Sequence, residues 1–324
     1  MILGFVFALF VQPALPLHIA PLVAEARSIA GSQGDSIWPG FSKTPYPVLF
    51  VGKNDSFLFC PAGAAKGFVT LYTDPFTKCT IKTRKRVFAA NLKATFPAVD
   101  GISTVVIGAP ALTEGSNAAW IATLLHEHFH QMQMSQPGYY EAVKALDLSG
   151  GKTGGMWMLN FPFPYQDTRI ADAFADMAHA LKKALRTRTG SDLQKQTAIY
   201  RLARTAAFAS ISTRDGQYAE FQLWQEGVAR YSEIALAEAA IERARRGESP
   251  YDYSALAMNL RGRVLENLEH FNLAQNKRVS FYALGAGEAL LLDRIRPNWR
   301  TAYFHAGLAM GPLLEKTSLP GLSK

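Results

Sequence analysis

His126-Glu127-His128-Phe129-His130 places two imidazoles four residues apart, with a carboxylate directly after the first. On a helix, residues i and i+4 differ by about 40° around the axis, so both rings reach one ion and Glu127 lies on the adjoining flank. Such a pair suits zinc, which draws the pKa of a bound water towards ~7 and polarises a carbonyl, while a neighbouring carboxylate takes the water's proton. That chemistry is hydrolysis. His128 falls about 200° from His126, on the side of Ile121, Leu124 and Leu125, and reads as a hydrogen-bonded core residue. Orientation of a ligand is its alternative role.

Two histidines do not complete a site. A third histidine one further turn along the same helix, the metzincin arrangement, is excluded because Gln133 and Gln136 stand where a Gly and a His are needed. Glu226, within the helical stretch Trp224-Gln225-Glu226-Gly227-Val228-Ala229-Arg230-Tyr231, is the expected third ligand. Glu220 and Glu233 compete for that place, and an i,i+4 ion pair with Arg230 is the plainer reading of Glu226 itself. Asp172, Asp176 and His179 also cluster on a helical pattern, where a solvated face is the simpler account.

The two stretches together resemble the gluzincin metallopeptidases, in which an H-E-x-x-H helix is completed by a Glu on a downstream helix, often in an E-G-x-A-x-Y-like setting. The resemblance is local and names no subfamily. It implies a thermolysin-like catalytic domain with one zinc per chain, held by His126, His130 and Glu226, with Glu127 as base. The interval between His130 and Glu226 is longer than in the thermolysin type, so the intervening helices are not accounted for. A proton donor or oxyanion-stabilising group should complete the site. Tyr231, Tyr282 and His305 are candidates; Tyr282, shortly before Gly285 and Gly287, is the choice.

These residues need a scaffold. Ser116 or Asn117 can cap a helix running to about Met134, stopped before Pro137-Gly138. Further helical patterns run from Thr168 to Arg186, Asp192 to Ser210, Gln217 to Arg246, Ala255 to Phe271 and Leu284 to Ile295. Upstream, short apolar runs at Val48 to Val51, Phe57 to Phe59, Phe68 to Tyr72 and Thr104 to Ile107 read as strands. Thr80 to Val87 alternates like an exposed strand, and Thr104 to Gly108 could be a sheet edge that pairs with an extended peptide. The expected fold is α+β, a β-rich part over 27–112 followed by a mainly helical zinc-hydrolase part over 113–324.

Met1 to Val23 contains no Asp, Glu, Lys or Arg, and Ile2 to Val11 is almost continuously apolar. With the small-x-small triplet Ala24-Glu25-Ala26, residues 1–26 read as a signal peptide cleaved after Ala26, giving a secreted or periplasmic protein. An uncleaved anchor is the alternative. No second stretch approaches the ~20 apolar residues of a membrane helix, so no stable insertion of the mature chain is expected. Cys60 and Cys79, the only cysteines, can then form one disulfide; two buried thiols is the other reading.

The 324 residues carry 48% hydrophobic and 19% charged side chains, the balance of a folded rather than a disordered chain. The net charge of +8 is dispersed. Its two clusters, Lys82 with Arg84 to Arg86 and Arg243 with Arg245 and Arg246, read as solvated faces, and no nucleic-acid motif accompanies them. The expectation is a zinc-dependent hydrolase of a peptide or amide bond, with no nucleic-acid partner. Its rivals are a zinc hydrolase of some other substrate and an exported binding protein that retains the zinc site without turnover.

Overall fold

Successive residues of a strand face opposite sides, and Val48–Val51 uses both. Val48 and Phe50 join the main core beneath the helices, whereas Leu49 and Val51 enter a smaller core on the far face of the sheet. In the computed structural model, which describes residues 14–152, 154–188 and 190–315, six strands form one sheet. They are β1 (Val48–Val51), β2 (Asp55–Phe59), β3 (Val69–Thr73), β4 (Thr80–Lys85), β5 (Lys93–Val99) and β6 (Ile102–Gly108). The order is β3-β4-β2-β1-β6-β5, with β1 and β6 parallel and every other pair antiparallel.

Two strand expectations change. Thr80–Lys85 lies between β3 and β2 rather than exposed, and buries Ile81 and Thr83. Ile102–Gly108 is also interior, because β5 covers it. The sheet edge beside the motif helix is therefore β5, a strand that the apolar runs do not reveal. Pro97 interrupts it where the register shifts between Phe96 and Val99, which an edge strand tolerates. Cys60, just after β2, and Cys79, just before β4, are joined by a disulfide with Cα atoms 4.8 Å apart, so the bond ties the ends of two paired strands.

The main helices are α1 (Ile19–Ile37), α2 (Asn117–Met134), α3 (Thr168–Arg186), α4 (Ser191–Ala209), α5 (Thr213–Gln222), α6 (Val228–Arg245), α7 (Tyr253–Glu269) and α8 (Ser280–Ile295). A π-helical turn, Leu223–Gly227, joins α5 to α6. Helix α2 begins where Ser116 Oγ accepts from the Ala119 amide, and is buried from Trp120 through Gln133. It packs on β5 and β6 on one side and on α1 and α6 on the other, so it has almost no solvent face. The sheet and the helices share one continuous apolar core.

Helix α1 bears on the processing expectation without testing it. Residues 1–13 lie outside the described part, but α1 runs straight through Ala26, which is fully buried. Ile19, Leu22 and Val23 fill the same core, and Glu25 accepts a hydrogen bond from Tyr253 Oη at 3.1 Å. A cut after Ala26 would remove all of these contacts. Arg243 is likewise not on a solvated face: it is buried, 3.8 Å from Glu25 and 3.3 Å from Glu248. Among the described residues, no helix is long and apolar enough to cross a membrane.

Candidate metal centre

Helix α2 turns His126 and His130 to the same side, and the π-turn brings Glu226 up to face them. Glu226 Oε2 lies 3.8 Å from His126 Nε2 and 3.4 Å from His130 Nε2. All three ligand atoms fall within 4.8 Å of one another. Ligands of a tetrahedral metal at ~2.0–2.2 Å stand ~3.3 Å apart, so the spacing is that of residues able to hold one metal ion. A π-turn widens the helix by one residue, and here it sets the carboxylate against α2. Gly227 follows Glu226 and meets Gly285 of α8 with no room for a Cβ on either residue, which lets the π-turn approach α8.

The far side of each imidazole is also occupied. His130 Nδ1 donates to Gln133 Oε1 at 2.7 Å. Gln133 Nε2 in turn donates to Gln225 O at 3.1 Å and to Tyr303 Oη at 2.7 Å, tying His130 to the backbone next to Glu226. His126 Nδ1 has Glu233 Oε2 at 3.5 Å, beyond good hydrogen-bond length but in the orienting position that carboxylates take behind metal-bound histidines. Both Nε2 atoms are thereby directed inward.

Electrostatics favour a cation at the cluster. Burial alone would lower the His126 pKa, but Glu226, Glu233 and the Glu127 charge outweigh it and raise the value to about 9. Burial would raise the Glu226 carboxyl, yet His130, His126 and Arg278 hold it well below the ordinary range. The negative surroundings that retain a proton on His126 serve a metal ion equally well.

Glu127 stands at the mouth of the cluster. Thr95 Oγ1 on β5 lies 2.8 Å from its Oε2 and 2.9 Å from its backbone oxygen, so the edge strand fixes this carboxylate. Glu127 and His126 line a cavity of about 390 Å³ between β5, α2, α6, α7 and the start of α8. Tyr282 forms part of its wall, its ring parallel to His126 at 6.3 Å, and accepts from Arg278 Nη1 at 3.0 Å. Burial and the Glu226 charge push the Tyr282 phenol well above its usual pKa, so it stays protonated.

The other candidates are placed elsewhere. Tyr231 donates to Asp293 at 2.8 Å and accepts from Arg300, and His305 is exposed outside the cavity lining. Glu220 is ion-paired to Arg204 and accepts from the Met310 amide. Asp172, Asp176 and His179 are exposed on α3, with His179 bonded to Glu269 O. His128 donates to Gln131 Oε1 and stacks on Tyr46 at 3.6 Å; burial drives its pKa down to about 3, keeping it a neutral core histidine.

Sequence reasoning missed Thr95, Gln133 as a support, and the arginines of the cavity wall. Gln133 could have been found, because it sits at i+3 from His130 on one helix face. Thr95 carried no signal while β5 went unread. No protein-family model, curated protein or solved structure matches the chain.

Proposed function

We propose that the chain is a single-zinc hydrolase of peptide or amide bonds, with a site arranged in the gluzincin manner on a thermolysin-like framework. The observation that carries this reading is the convergence of His126, His130 and Glu226 from two separate helices, with Glu127 beside them at a cavity. The donor set of two imidazoles and one carboxylate suits a catalytic zinc with an open position. Zinc bound there would supply a Lewis acid and a water of lowered pKa.

The chain's own residues divide the remaining work. Thr95 holds Glu127 Oε2, leaving Oε1 free to take a proton. Tyr282, kept protonated by burial, can donate a hydrogen bond to an oxygen that gains negative charge in the cavity. The outer edge of β5 beside Glu127 offers backbone groups to an extended chain, which favours a peptide over a compact substrate. The Cys60–Cys79 disulfide and the apolar Ile2 to Val11 stretch support export, with any processing upstream of α1.

Glu127→Gln is the decisive variant. It should bind zinc like the wild type while losing about 10²-fold or more of its cleavage of a peptide mixture followed by mass spectrometry. Equal cleavage by both proteins would remove the basis for this reading.

A further inference from the structure

The cavity before the cluster carries four cationic side chains from four elements: Lys93 of β5, Arg230 of α6, Arg263 of α7 and Arg278 just ahead of α8. Three of them are matched. Lys93 pairs with Glu114 at 2.7 Å, Arg230 with Glu233, and Arg278 with Glu226 at 3.1 Å. Arg263 has no ion-pair partner among the described residues, although it shares the cavity wall with the other three. Asn267, one helical turn further along α7, adds an amide to the same wall.

Glu127 and Glu233 line the same wall, so the side chains alone leave the recess near neutral, with Arg263 the cation not committed to an ion pair among the described residues. A guanidinium forms its best hydrogen bonds with a carboxylate. A divalent ion at the histidines would give the recess a positive excess, which concentrates anions. We propose that the cavity selects peptides bearing a carboxylate close to the bond to be hydrolysed, with Arg263 as the receiving group. The inference rests on the hydrolase reading and adds a substrate class to it. An acidic side chain and a free C-terminus supply the same carboxylate chemistry.

Binding separates this inference from hydrolysis itself. Zinc-loaded Glu127→Gln protein is mixed with random octapeptides, once with free and once with amidated C-termini, and the retained peptides are identified by mass spectrometry. Asp and Glu peptides, or peptides with free C-termini, should be enriched about five-fold, as expected for a partly exposed ion pair. Adding Arg263→Glu should abolish that enrichment. Enrichment that survives amidation assigns the carboxylate to a side chain; enrichment lost on amidation assigns it to the C-terminus. Equal recovery of acidic and neutral peptides, no recovery at all, or an unchanged profile in Arg263→Glu overturns the proposal. Acid-selective binding without any cleavage by the wild type would instead overturn the hydrolase reading and leave carboxylate recognition by Arg263 standing.

Discussion

Gly227 and Gly285 meet backbone to backbone: a Cβ on Gly285 would stand 2.7 Å from Gly227 Cα. Their contact seats the π-turn that carries Glu226 against the helix that carries Tyr282. Gly285→Ala should therefore force the two elements apart and destabilise the protein by about 1–3 kcal/mol, with weakened zinc binding. Thermal unfolding and a zinc titration check this. A variant with wild-type stability and affinity would mean that the contact does not position Glu226.

Gln133 links His130 to the backbone ahead of Glu226. Gln133→Ala should lower zinc affinity about 10- to 100-fold, the usual effect of removing a group that orients a metal ligand. Competition with a chromophoric chelator reads that change directly. An unchanged affinity would show His130 to be held by packing alone.

Thr95→Val should leave zinc affinity intact and lower kcat about ten-fold, because Glu127 loses its tether to β5. Thr95→Ser, which keeps the hydroxyl, should restore most of the rate. Equal loss in both variants would point to packing of the strand rather than to the hydrogen bond.

His126 has a folded-state pKa of about 9, above the ~6.5 of an unfolded histidine. Its protonated form thus stabilises the metal-free protein fully below pH ~6.5, and that contribution is lost as pH rises through about 9. Zinc competes with the same proton, so zinc affinity should increase across this window. Calorimetry with and without a chelator should show the zinc-induced rise in Tm growing from pH 6.5 to 9; a constant difference would contradict the assignment.

A chain begun at Arg27 loses the buried Ile19, Leu22 and Val23, each worth about 1.5–3 kcal/mol of burial. It should be markedly less stable than a chain begun at residue 14. Equal unfolding midpoints would show that the part of α1 before Arg27 is dispensable and would fit a junction at Ala26.

The histidine pair was legible because helical spacing is a local property: four residues separate His126 from His130 whatever surrounds them. Glu226 was legible from its Glu-Gly setting, and the structure gives that Gly a reason in the contact with Gly285. The ends of α2 followed from a cap at Ser116 and a stop before Pro137-Gly138. Less visible was anything decided by the order of strands. Thr104 to Gly108 looks like an edge until β5 covers it, and Pro97 disguises β5 as a loop. Helix α1 was not read as a helix, because Ile19 to Ala26 fell within the stretch taken for a leader; its place in the core is visible only in the packing. The arginines of the cavity come from elements distant in sequence, so no spacing could join them.

The most direct measurement is the metal content of the purified protein, by elemental analysis, in the wild type and in His126→Ala, His130→Ala, Glu226→Ala and Glu233→Ala. The account predicts about one zinc per chain in the wild type, following from a single set of three protein ligands with one position left open. It further predicts loss in the first three variants, and weakened but retained binding in Glu233→Ala. Undiminished zinc in Glu226→Ala, or no metal in the wild type after reconstitution with zinc, would contradict it.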